Sequence, residues 1–167
     1  MRHPRGLPEG LRLVGFEELS ATPLRDRLLA RRHEFWAGSA LDDDAVRALH
    51  DPVFFHQLGG FGAVALTEDG RDAAYLLGLV SADRLAVVQA LAVHPDWRGQ
   101  GVAARLVERF GVLASGVGAR VMQAVVVPGD PTTEALADRF DAHRAASPGH
   151  TGPGVDRLIL TRPLPLP

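Results

Sequence analysis

Gly99, Gly101, Ala103 and Ala104 stand in the stretch "RGQGVAARL", just after an apolar run that ends at Val93 and at the start of a segment with helical period. A loop that turns directly into a helix offers several backbone N–H groups without intrahelical partners, at the positive end of the helix dipole. Two glycines remove the side chains that would hold an anion away from the main chain, and two alanines keep the first turn thin. The chemistry open to such a stretch is phosphate binding; the alternative is an ordinary strand-to-helix connection. Two neighbouring side chains also have reactive types. Gln89 is the one polar residue of the run 85–93, and His94 closes that run. A buried amide needs partners, so Gln89 either bonds to a neighbouring strand or orients a reactant, and it cannot itself be a base. His94 titrates in an accessible range, although a His before Pro at a strand end more often sits in solvent.

The elements that must position these residues follow from hydrophobic period. Residues 11–19 are apolar enough for a first strand. Residues 22–38 read as a helix with Thr22 as N-cap and Pro23 at the first helical position. A shorter helix spans 41–51, and Asp42, Asp43 and Asp44 crowd its N-terminal end, where the dipole favours carboxylates; they read as a cap rather than as metal ligands. Asp69-Gly70 between two apolar runs marks a hairpin, and 81–84 turns the chain into 85–93, a third strand apolar on both faces as a central, covered strand would be. Val102, Leu106, Phe110 and Leu113 then recur at helical spacing until Gly116 and Gly118. A strand at 120–127 completes a right-handed crossover between parallel strands. A helix over 131–146, a loop at 147–154 and a last strand at 155–164 follow. The fold class is therefore α/β (mixed α+β): a central mixed sheet, an antiparallel meander and then one parallel crossover, with helices on both faces. One domain over 1–167 is expected, with 1–10 and 163–167 as flexible tails.

Composition removes other chemistries. There is no Cys, so disulfides, thiolate metal sites and cysteine nucleophiles are excluded, and all 18 basic residues are Arg, which excludes a Schiff-base or phosphate-binding lysine. A formal charge of -2 gives no general field for nucleic acid or an anionic membrane, and no apolar run is long enough to span one. The chain reads as soluble and cytoplasmic, with neither nucleic acid, membrane nor metal as partner.

Two phosphate-binding patterns fit "GQGVAA". A dinucleotide fingerprint needs its first glycine almost directly after a strand within repeated parallel crossovers; here "HPDWR" intervenes and the preceding strands form a meander, although Asp130 could imitate the ribose-binding acid. The other pattern carries a resemblance. "LAVHPDWRGQGVAARLV" resembles the acetyl-CoA-binding motif of the GNAT superfamily of acyl-CoA N-acyltransferases, with Arg98, Gly101 and Ala103 at the places of its Q/R-x-x-G-x-G/A pattern. The order of elements from residue 11 to about 162 is also similar to that family. The resemblance implies acetyl-CoA as acyl donor. Its pyrophosphate would lie on the N–H groups of Arg98, Gly99, Gln100, Gly101, Val102, Ala103 and Ala104, its pantetheine arm beside Leu91, Ala92 and Val93, and its thioester carbonyl near the Val93 N–H. It implies direct transfer to a primary amine of a small molecule or peptide, and it is compatible with a homodimer.

The sequence departs from the family on the catalytic side. Val87 occupies the place of a frequent Glu base, Phe140 falls at about the place of a Tyr acid, and "SPGHTGPG" replaces the usual sixth strand. Tyr75, the one tyrosine, reads as core. Gln89 and His94 are the side chains left as catalytic candidates. A non-catalytic acyl-CoA-binding domain is the alternative that these departures motivate.

Overall fold

The computed structural model describes residues 6–19, 21–57 and 61–167. Its strands are β1 (Leu11–Gly15), β2 (Phe61–Thr67), β3 (Asp72–Val80), β4 (Leu85–Val93), β5 (Val121–Val126), β6 (His143–Ser147) and β7 (Arg157–Pro163). Its α-helices are α1 (Ala21–Ala30), α2 (Arg32–Phe35), α3 (Asp43–Leu49), α4 (Val102–Gly116) and α5 (Pro131–Arg139). The strands make a seven-stranded mixed sheet in the order β1-β2-β3-β4-β5-β7-β6, in which β4 and β5 are the parallel pair. The described residues group into two compact units, those up to Leu79 together with Gln89–Phe110, and Val80–Val88 with Gly111–Pro167.

In the first unit the turn expected at Asp69-Gly70 joins β2 to β3. Gly70 takes a φ of 79°, and the Thr67 N–H donates to the Arg71 carbonyl at 2.9 Å. Leu24 and Leu28 of α1 and Phe35 of α2 bury against Val14, Val64, Leu66, Tyr75, Leu77, Ala90 and Ala92. On the opposite face of β2, Phe61 packs on Phe110 of α4 with ring centroids 5.1 Å apart, so helices cover both faces here. Val102, Leu106 and Phe110 are buried as their spacing predicts, while Ala114 rather than Leu113 completes the buried row.

Three expectations need correction. The helix read over 22–38 is two helices broken at Arg31, and because α1 begins at Ala21, Thr22 lies inside the first turn and not before it; the Thr22 side chain is outside the described residues. The strand β4 is not covered on both faces. Ala86, Ala90 and Ala92 are buried, but Leu85, Val87, Gln89, Leu91 and Val93 are half-buried. Ahead of β1, Gly10 at φ 84° closes a turn in which the Leu11 N–H donates to the Pro8 carbonyl.

The third correction belongs to the second unit. The helix read over 131–146 stops at Arg139, because Asp141 adopts a left-handed φ of 51° and turns the chain. His143–Ser147 then forms β6, antiparallel to β7, so "SPGHTGPG" is the β6–β7 hairpin loop and replaces no strand. Asp130 caps α5, its carboxylate accepting from the Thr133 N–H at 2.9 Å. At the other end, the Leu164 N–H donates to the Arg120 carbonyl at 2.8 Å and Leu166 lies against Gly111. No described helix is long and apolar enough to cross a membrane.

Candidate functional site

β4 supplies one wall. In the second unit its parallel ladder with β5 runs from Leu85↔Val121 to Val88↔Ala124. On its other edge the His94 N–H donates to the Ala73 carbonyl of β3 at 2.8 Å. N–H and C=O of one strand residue point to the same side and alternate along the strand, so the Val93 N–H points away from β3. Gln89 shares the half-buried face with Val87, Leu91 and Val93, and among the described residues its amide has no hydrogen-bond partner.

The glycine loop follows. His94 caps a 3-10 turn over Pro95–Trp97, its Nδ1 accepting from the Asp96 N–H at 3.2 Å. Gly99 and Gly101 have φ of 73° and 81°, and a Cβ built at either would meet nothing within 4 Å. The glycines are therefore required by backbone conformation, since left-handed φ costs an L-residue about 1–2 kcal/mol, and the space in front of them is open. Among the described residues no backbone acceptor is found for the N–H groups of Gly99, Gln100, Gly101, Val102, Ala103 and Ala104; the first helical bond of α4 is donated by the Arg105 N–H to Gly101. Left-handed residues in such a loop turn successive N–H groups to one side, which is how backbone nests hold anions. A cavity of about 440 Å³ abuts the loop, lined by Gly6, Leu7, Pro8, Glu9, Gly99 and Gln100.

Two predicted residues are engaged otherwise than expected. The Arg98 N–H donates to the Pro95 carbonyl at 3.3 Å, and its guanidinium donates to three more carbonyls, Val93 at 2.9 Å, Ala37 at 2.9 Å and Phe35 at 3.0 Å. Its donors face protein carbonyls, whereas the run 99–104 faces none. His94 is neither solvated nor free: its side chain is 16% exposed, and Nε2–H donates to Glu34 Oε2 at 2.9 Å. With Nδ1 accepting at the cap, both ring nitrogens of the neutral form are in use. Glu34 is held below the usual carboxylate range first by its hydrogen bond from Arg31 and then by that from His94.

Tyr75 is fully buried, and burial raises its phenol well above the usual value. It accepts from Trp36 Nε1–H at 2.9 Å and donates to His50 Nε2 at 2.7 Å, while His50 Nδ1–H donates to the Val46 carbonyl at 2.7 Å. This chain pins α2 and α3 to β3 deep in the core. Phe140, the C-cap of α5, is buried in the second unit. Asp42 caps α3 through the Ala45 N–H at 2.8 Å, and Asp43, paired with Arg32 and Arg47, is lowered to about 2.

A strand end followed by a glycine loop at a helix start, on a sheet with this strand order, is the context in which the comparisons fall. The acetyltransferase (GNAT) domain model matches residues 53–140, just over half of the chain. The chain belongs to the GNAT acetyltransferase family, and the class of activity that family supports is acyl transfer from an acyl-CoA. Among solved structures, it is similar to a GNAT-family acetyltransferase from Staphylococcus aureus Mu50, at TM-score 0.71 and 9% identity over 93% of this chain and 99% of that one. It is also similar to the GNAT superfamily phosphinothricin acetyltransferase of Sinorhizobium meliloti in complex with AcCoA, at TM-score 0.68 and 22% identity over 93% and 89% of the two chains. The ribosomal-protein-S18-alanine N-acetyltransferase of Escherichia coli gives TM-score 0.67 and 17% identity over 92% and 94%. No curated protein sequence matches the chain.

Proposed function

We propose that this protein transfers an acetyl group from acetyl-CoA to a primary amine of a small molecule or peptide, by direct attack while both are bound. The observation that carries the reading is the run of six N–H groups from Gly99 to Ala104 for which no backbone acceptor is found among the described residues. They suit a diphosphate, and the open space before Gly99 and Gly101 leaves room for one. Leu91–Val93, at the end of β4, offers backbone groups for the amides of the pantetheine arm, and the Val93 N–H, on the side of the strand away from β3, can meet a thioester oxygen. Two of the similar structures carry names with acceptors as different as phosphinothricin and an alanine of ribosomal protein S18, which suits an acceptor defined by its amine alone.

No carboxylate stands at Val87 and no phenol on α5, so the ammonium proton leaves through water. A thiolate leaving group, whose conjugate acid has a pKa of about 8.5, tolerates the missing acid. Gln89, half-buried with an unpartnered amide, orients the amine or that water.

Acetyl-CoA at about 100 times its Kd should stabilise the fold by roughly 2.7 kcal/mol, read as a rise in Tm. Gly101→Glu places bulk, a strained φ and negative charge in the nest and should abolish both this shift and the calorimetric signal. A wild-type Tm unmoved by millimolar acetyl-CoA, or moved further by NAD, contradicts the proposal.

A further inference from the structure

We propose that Arg98 is a positioning residue for acyl transfer: its guanidinium, fixed on three backbone carbonyls, offsets the dipole of the Val93 carbonyl and leaves the Val93 N–H free to stabilise charge on the thioester oxygen. The inference rests on the acyl-CoA reading and names the part Arg98 plays in it.

The argument is geometric. The His94 N–H is committed to β3, so the N–H and C=O of Val93 both point to the opposite side of the strand. An oxyanion meeting the Val93 N–H is therefore a near neighbour of the Val93 oxygen, whose partial negative charge opposes it. Arg98 Nε donates to that oxygen at 2.9 Å, which replaces an opposing dipole with one covered by a positive group. The remaining guanidinium donors hold Ala37 and Phe35, at the C-terminal end of α2 where carbonyls lack helical partners. Three anchors fix the charge before any reactant arrives, the arrangement that makes electrostatic stabilisation effective. Because those donors and the Arg98 N–H are engaged with protein carbonyls, the diphosphate is left to the run 99–104, and the affinity for acetyl-CoA should depend little on the Arg98 side chain.

In the step concerned, the amine nitrogen forms a bond to the acyl carbon and the carbonyl pair moves onto oxygen. When that pair returns, the C–S bond breaks, the thiolate departs, and the nitrogen gives its proton to water. Arg98 acts while the charge is on oxygen.

The test is the infrared carbonyl stretch of acetyl-CoA labelled with 13C at the acyl carbon, recorded bound to wild type, Arg98→Lys and Arg98→Gln, with Kd measured by calorimetry. The expected result is a wild-type band below that of the free donor, a return of that band toward the free position in Arg98→Gln, and an intermediate position in Arg98→Lys, which keeps charge but not the planar fork. Kd should stay within about threefold, and turnover in Arg98→Gln should fall on the order of tenfold. A band in Arg98→Gln that coincides with wild type overturns the inference, as does loss of acetyl-CoA binding in that variant. If Arg98→Gln does not fold, Arg98→Lys decides alone, and a band identical to wild type overturns it. Absence of any bound band with wild type overturns the acyl-CoA reading instead.

Discussion

Gln89 and His94 have the two side chains near the end of β4 whose types could assist a reaction, and their surroundings separate them. His94 caps the turn that starts the glycine loop and donates to Glu34. His94→Ala should therefore lower stability by about 0.5–2 kcal/mol, the worth of an N-cap, read in a denaturant melt, and leave the pH profile of kcat/KM rising to the acceptor's own pKa. Loss of that ascending limb would make His94 the base. Gln89 has no such commitment. Gln89→Leu should lower kcat by roughly tenfold to a few hundredfold, with acetyl-CoA affinity little changed, as befits a group that holds a reactant in place. An unchanged kcat returns Gln89 to a packing role. From sequence, the polar residue in the apolar run stood out, but its lack of a partner depends on strands brought together from elsewhere in the chain.

At the scale of elements, short helices and turns set the site and were the least legible features. The Arg98 partners Phe35 and Ala37 lie 63 and 61 residues away, beyond any local pattern. α2 exists as a separate helix because the chain breaks at Arg31, whose guanidinium reaches the Asp72 carbonyl at 2.9 Å. The motif loop itself was plain, since glycines that require positive φ announce a backbone conformation directly. α3 is held by His50, which burial keeps below the ordinary histidine value, with Arg25 adding to the effect. The unfolded chain takes up a proton on His50 as pH falls through about 6.5, and the folded chain resists it. Stability should thus be full above that pH and decline below it. Thermal melts at pH 7.5 and 5.5 should show a fall in Tm for wild type and a smaller one for His50→Gln. An equal fall in both assigns the acid sensitivity to other groups.

For the molecule as a whole, the fold class, with its antiparallel meander and one parallel crossover, followed from period and from one hairpin signal. β6 was missed because "DAHRAA" continues the composition of α5, and its end is set by the left-handed Asp141, a conformation sequence seldom marks outside Gly and Asn. The catalytic departures were visible as residue types, and the fold adds that Tyr75 is walled into the core and that β4 keeps a half-open face. The central claim, acyl transfer to an amine, is tested most directly by following free CoA release from acetyl-CoA across a panel of primary amines, with the products examined by mass. At least one amine should raise release on the order of tenfold or more over the amine-free rate and be recovered as its N-acetyl derivative. Saturable acetyl-CoA binding with no amine accelerating release would contradict it and leave a domain that holds the donor without using it.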